Sequence, residues 1–212
     1  MKKLTLLLFM GLLSILAAKA SAATITVYTD KAAWSQAVSS QYTTETFTDN
    51  VLHDSGLTYI TVMGSIALER WRDVLNITSN NPAMTIWRFE PQITAYGGTW
   101  TLGGPGGSGN SLVVTLPELG VTAGRISSAY YGNFWGFIAD TPFSQVQLAG
   151  GLGSNQRMYI LDDMVYSPVL PAGNTILYSL PAGATVITPL PGAIWLMAGG
   201  LLVLLGLRRL AK

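Results

Sequence analysis

Thr85-Ile-Trp-Arg-Phe89 and Ile93-Thr-Ala-Tyr-Gly-Gly-Thr-Trp-Thr-Leu102, separated only by Glu90, Pro91 and Gln92, decide the fold class. Both runs are rich in β-branched and aromatic residues, which suit a pleated, half-buried surface. Pro91 stands between them as strand punctuation. The same composition recurs over residues 24–28, 43–47, 58–62, 111–116, 132–139, 144–148 and 158–166, with Gly, Pro, Asn and Asp in the gaps. That spacing is the one expected of a sandwich. The fold class is mainly β, an antiparallel jelly-roll-like sandwich with one short N-terminal helix. Asp30 is a suitable N-cap for that helix, residues 31–38, with Ala33, Trp34, Ala37 and Val38 on one face. Residues 66–77 read either way: Ala67, Trp71, Val74 and Leu75 have helical spacing, but their surroundings are strands.

The composition excludes several classes of function. The 212 residues are 49% hydrophobic and only 11% charged, which is incompatible with a disordered chain. The absence of cysteine removes disulfide scaffolds, thiol catalysis and thiolate metal sites. With His53 the single histidine, a three-histidine metal site is excluded. A Ser-His-Asp triad would have to use His53, and no G-x-S-x-G elbow accompanies it. Within 50–56 it reads as a surface-loop residue. A net charge of +1 gives no sign of a nucleic-acid partner.

Two ends bias that average. Lys2 and Lys3 precede an apolar run over 4–18 and the small residues Ala20, Ser21 and Ala22. This is the order of a secretory signal peptide, residues 1–22, with cleavage expected after Ala22. At the other end 18 residues without charge, 190–207, lead into Arg208, Arg209 and Lys212. That length suffices for a single C-terminal transmembrane helix, and the basic flanks put both termini on the cytoplasmic side. Everything between is expected to be translocated. Residues 169–187 form a Pro- and Gly-containing stretch with two Leu-Pro-Ala-Gly copies ten residues apart. It reads as an extended linker, with a hairpin over 176–178 as the alternative. What remains, 23–168, holds all eleven acids and only six bases, a net charge of −5 that disfavours nucleic acid and anionic membranes.

Thr188-Pro189-Leu190-Pro191, the apolar helix after it and Arg208-Arg209 resemble a PEP-CTERM sorting tail. Leu190 stands where the name-giving motif has glutamate. The resemblance implies a Gram-negative bacterium that makes exopolysaccharide or biofilm matrix. It also implies an exosortase-type sorting enzyme as partner, an inner-membrane anchor before processing, and delivery to the cell surface or extracellular matrix. The runs Ile25-Thr-Val-Tyr-Thr-Asp-Lys-Ala-Ala-Trp34, Thr44-Glu-Thr-Phe47, Phe134-Trp-Gly-Phe137 and Tyr159-Ile-Leu-Asp-Asp163 are similar, in that order, to PEP-CTERM surface proteins. The last run is also similar to the final strand of jelly-roll carbohydrate-binding modules. Such modules often hold a structural calcium between first and last strands, which makes Glu45, Asp49 and Asp162 the calcium candidates. No other cofactor is expected.

Other motifs carry less. Asp162 and Asp163 are neighbours on a strand and so point to opposite faces, whereas a glycosidase needs two carboxylates flanking one bond. Gly104-Pro-Gly106-Gly-Ser-Gly109 satisfies G-x-G-x-x-G, but a strand follows where a dinucleotide site needs a helix, so it reads as a hairpin loop. Trp100, Tyr130 and Trp135, with Tyr96 and Tyr131, are candidates for stacking on sugar rings, although alternation sends some of them to the core. Three readings follow: a non-catalytic exported surface or matrix protein, a carbohydrate-binding module for exopolysaccharide, and a hydrolase of matrix polysaccharide.

Overall fold

The computed structural model describes residues 23–76, 84–103, 111–151, 156–168 and 185–187. The signal segment, the 104–109 glycine stretch and the sorting tail lie outside them. The elements are β1 Ile25–Tyr28, α1 Lys31–Ala37, β2 Thr43–Glu45, β3 Leu57–Ile60, β4 Ser65–Ile66, β5 Trp71–Asn76, β6 Met84–Gly103, β7 Leu112–Leu116, β8 Val121–Ile126, β9 Tyr131–Gly150, β10 Gln156–Pro168 and β11 Thr185–Ile187.

The two opening runs are one strand. β6 continues through Pro91, and β9 likewise joins the runs expected at 132–139 and 144–148. The early part of β6, Met84 to Arg88, pairs with Ala149 to Gln145, and the later part, Ile93 to Thr101, with Phe143 to Tyr131. The register shifts between Arg88 and Ile93, where the Glu90–Pro91 peptide is cis. Proline has no N–H to give a ladder, so it is tolerated where pairing is already interrupted. All pairings are antiparallel.

Continuity of β6 and β9 makes the described strands a single hydrogen-bonded sheet of eleven strands. This is the mainly β, antiparallel sandwich with one short helix that the sequence leads one to expect, its two layers sharing their longest strands. One layer runs β11-β1-β9-β6-β10-β5-β4. The other branches from the opposite halves of the same long strands, with β7 and β8 on β9 and β3 on β6. Inward residues of both layers meet in one core that includes Trp71, Trp87, Trp100, Tyr96, Tyr159 and Phe137. Fully burying a large apolar side chain is worth about 1.5–3 kcal/mol, so these rings dominate the packing. Trp71 and Trp87 meet edge to face at 4.7 Å. Gly97 and Gly136 face each other across β6 and β9; a Cβ on Gly97 would lie 2.9 Å from both Gly136 Cα and Phe134 Cζ.

α1 covers the outer face of the first layer. Asp30 caps it by accepting from the Ala33 N–H at 2.7 Å, and Trp34 inserts with Ala37 and Val38 over Ala95, Phe134, Ile138 and Val165. The Trp34 indole donates to the Phe137 carbonyl at 3.2 Å. β9 is thus covered on both faces here, which explains the unbroken buried run from Phe134 to Ala139.

Residues 66–77 are strand, not helix, over the described part. The Ala67 N–H donates to the Arg70 carbonyl at 2.9 Å, and Leu68 and Glu69 are both left-handed, a tight hairpin turn between β4 and β5. Two strands escaped the sequence reading. β8 is diluted by Thr122, Gly124 and Arg125, and β11 lies at the end of the expected linker yet pairs with β1 through Ile25–Ile187, Thr26–Val186 and Val27–Thr185.

Candidate functional site

Alternation along β6 buries Trp87 and Phe89 and sends Arg88 and Glu90 outward on either side of them. Arg88 lies between Thr58 of β3 and Gln145 of β9 in register. Where β6 bends, these outward residues border a cleft of about 540 Å³ whose polar lining is Ser55, Thr58, Arg88, Glu90, Gln92 and Ser144. Ser144 is already committed, donating through N–H (2.7 Å) and hydroxyl to the Glu118 carboxylate. The side chains of Ser55, Thr58, Arg88, Glu90 and Gln92 make no hydrogen bond or ion pair among the described residues.

A smaller adjoining cavity of about 110 Å³ is bordered by Asp54, Gly56, Glu90 and Tyr166. The Tyr166 hydroxyl donates to Asp54 Oδ2 at 2.8 Å, and the Gly56 N–H donates to Asp54 Oδ1 at 2.8 Å. Burial, then the Asp54 hydrogen bond and the charges of Asp54 and Glu45, push the Tyr166 hydroxyl well above the usual phenol range. Gly56 touches β6 directly: its carbonyl accepts from the Glu90 N–H at 2.8 Å, and a Cβ there would lie 1.8 Å from the Glu90 carbonyl oxygen. No other residue type fits.

The loop carrying Ser55 and Gly56 is tied to β2. Glu45, 1% exposed, accepts from the Phe47 N–H (2.7 Å), the His53 N–H (2.7 Å) and lies 3.0 Å from His53 Nδ1. Phe47, Asp49 and Asn50 are left-handed, so the chain coils tightly around that carboxylate. His53 does sit in a loop, half-exposed, but with a partner that composition could not reveal.

Other sequence candidates are placed elsewhere. Trp100 and Trp135 are corrected from glycan contacts to core residues: both are buried, and the Trp100 indole donates to the Trp135 carbonyl at 3.0 Å. Alternation sends both inward. Tyr130 packs partly on the core, and burial raises its hydroxyl pKa; its neighbour Tyr131 is 84% exposed. Glu45, Asp49 and Asp162 are not brought together as a calcium site. Glu45 is occupied by the loop, Asp162 pairs with Arg70 at 3.2 Å, and among the described residues no group of three or more His, Asp or Glu is arranged for a metal ion. Asp163 is left-handed within a bulge and faces Lys31 at 3.9 Å, so simple alternation fails at this pair. Ala20, Ala22, Pro189, Leu190, Pro191, Arg208 and Arg209 lie outside the described residues.

No family model and no curated protein matches the chain. Solved structures of family 29 carbohydrate-binding modules are similar over part of it. One variant of CBM29-2 is 14% identical, with a TM-score of 0.44 over 60% of this chain and 91% of that one. Another, complexed with mannohexaose, is 14% identical with a TM-score of 0.42 over 59% and 90%. A third, complexed with cellulohexaose, is 13% identical with a TM-score of 0.43 over 59% and 89%.

Proposed function

We propose that this chain is an exported, non-catalytic surface or matrix protein whose β-sandwich binds carbohydrate in the cleft at the bend of β6. One observation carries the binding reading: five polar side chains without partners among the described residues border one cleft. They are two hydroxyls, an amide, a guanidinium and a carboxylate, a mixed set of donors and acceptors. Sugar hydroxyls both donate and accept, so a glycan uses such a set fully. The adjacent row, Ile60 opposite Ile86, gives an apolar strip for the C–H faces of the rings. Hydrolysis is the poorer reading, because among the described residues Glu90 is the one cleft carboxylate left unpaired and Asp54, in the adjoining cavity, has both oxygens engaged. Export and exosortase-type sorting rest on the two ends of the sequence.

The test is retention of the full-length chain, in detergent micelles, on gels containing galactomannan, hydroxyethylcellulose or alginate. Wild type is expected to be retarded by at least one of them. Arg88→Ala should weaken that association about tenfold or more, since hydrogen bonds to charged groups contribute about 1.5–3 kcal/mol. Equal retention of wild type and variant, at equal melting temperature, would move the site elsewhere. No retention on any polysaccharide would remove the binding reading.

A further inference from the structure

We propose that Glu45 and His53 are positioning residues for the cleft, holding its loop wall in the shape that receives the glycan. The inference rests on the carbohydrate reading above and adds to it residues that touch no sugar. The physical chain is short. Both Glu45 oxygens take backbone N–H groups of the loop, from Phe47 and His53, each at 2.7 Å. The His53 ring then fixes the carboxylate from the solvent side at 3.0 Å. Asp54 follows directly, with one oxygen on the Tyr166 hydroxyl and the other on the Gly56 N–H. Its carbonyl accepts from the Leu57 N–H at 3.1 Å, which starts β3. Gly56 completes the path by accepting from Glu90 in β6.

Ser55, Gly56, Thr58 and Glu90 of the cleft are therefore placed by one sequence of bonds that begins at a buried carboxylate. The loop needs such a hold. Three of its residues, Phe47, Asp49 and Asn50, are left-handed without being glycine, a conformation that persists only where the surroundings impose it. An imidazole suits the hold because its Nδ1–H can donate to the carboxylate while its other edge stays in water. The glycan meets the loop, and the loop answers to Glu45.

The experiment compares wild type, His53→Ala, His53→Asn and Glu45→Gln as full-length chains in detergent micelles. The probes are galactomannan, hydroxyethylcellulose and alginate, with amide hydrogen exchange of residues 53–57 measured on the same samples. His53→Ala should weaken binding of whichever polysaccharide wild type holds by about fivefold to tenfold, with faster exchange at Gly56 and Leu57. His53→Asn supplies an N–H close to the position of Nδ1 and should restore affinity to within about twofold. Glu45→Gln replaces one acceptor oxygen by a donor facing backbone N–H groups and should lose more than His53→Ala in both readouts. Unchanged exchange in His53→Ala overturns the proposal whatever the polysaccharide result. Faster exchange with wild-type affinity, or failure of His53→Asn to rescue, overturns it as well. If wild type itself binds none of the three polysaccharides, it is the carbohydrate reading that has failed.

Discussion

Asp73 is a carboxylate 1% exposed, with hydrogen-bond donors but no cation in contact among the described residues. It accepts from the Thr61 hydroxyl at 2.6 Å, the Val74 N–H at 2.7 Å and the Thr85 hydroxyl. The Thr85 hydroxyl in turn accepts from Tyr159 at 2.6 Å, and the Tyr159 hydroxyl accepts from the Trp71 indole at 3.0 Å. One buried charge thus orients polar groups from β5, β6, β10 and the turn after β3. Removing it strands buried donors, which costs about 1–3 kcal/mol each when desolvation is not repaid. Asp73→Ala should therefore destabilise the fold by about 3 kcal/mol or more, and Asp73→Asn, which keeps one carbonyl acceptor, by less. Urea unfolding followed by tryptophan fluorescence measures both; a loss under about 1 kcal/mol in the alanine variant would mean that water takes over the site.

Among the elements, α1 offers the sharpest check because its contributions separate. The cap at Asp30 is a surface hydrogen bond whose loss in Asp30→Ala should cost about 1 kcal/mol. Trp34 is fully buried against β9 and β10, so Trp34→Ala should cost about 3–5 kcal/mol and expose Phe134 and Val165. Thermal melts of the two variants should differ accordingly; similar melts would show that the helix is held by something other than its tryptophan. The helix was legible because cap and apolar face are local signals. So were most strands, whose β-branched and aromatic content is also local. The joining of runs across Pro91 was not legible, since proline reads as a break and only partner strands on both sides reveal continuity. The cleft was less legible still. Thr58, Arg88 and Ser144 are far apart in sequence and meet only through register. The alternation of Arg88 and Glu90 with Trp87 and Phe89 was the one available hint. Trp100 misled because its polar indole N–H finds a partner inside the core.

At the scale of the whole molecule, several buried tyrosines make the fold sensitive to alkali. Burial raises Tyr96 and Tyr159, helped by Tyr159 in the first case and by Asp73 in the second, and it raises Tyr166 beside Asp54. The sign follows from linkage. In the folded state these hydroxyls keep their protons above the pH at which an unfolded tyrosine, near 10, loses its own. Stability from these groups is complete below about pH 10 and is lost as pH rises through the raised folded values. The share of the phenolate absorbance that belongs to the buried tyrosines should therefore appear together with the change in circular dichroism above about pH 10, as one cooperative step, on top of the share from exposed ones such as Tyr131. Phenolate appearing at the full amplitude while the circular dichroism stays native would contradict it. The molecule's charge is as uneven as its burial: the acidic sandwich keeps only six of the twelve bases, the rest belonging to the two ends.

The pairing of β11 with β1 has a mechanical side. Ile187, one residue before the Thr188-Pro189-Leu190-Pro191 motif, pairs with Ile25, three residues after the expected cut at Ala22. The chain thus leaves the sandwich beside the point where it entered. Tension applied between the two exits, at residues 23 and 187, would load the pairs Ile25–Ile187, Thr26–Val186 and Val27–Thr185 one after another, as a zip opens, instead of shearing all three at once. Peeling needs little force, and it pays out slack before the long strands β6 and β9 bear any strain. Under such a load β11, the last of the described strands, would act as a fuse for the sheet behind it.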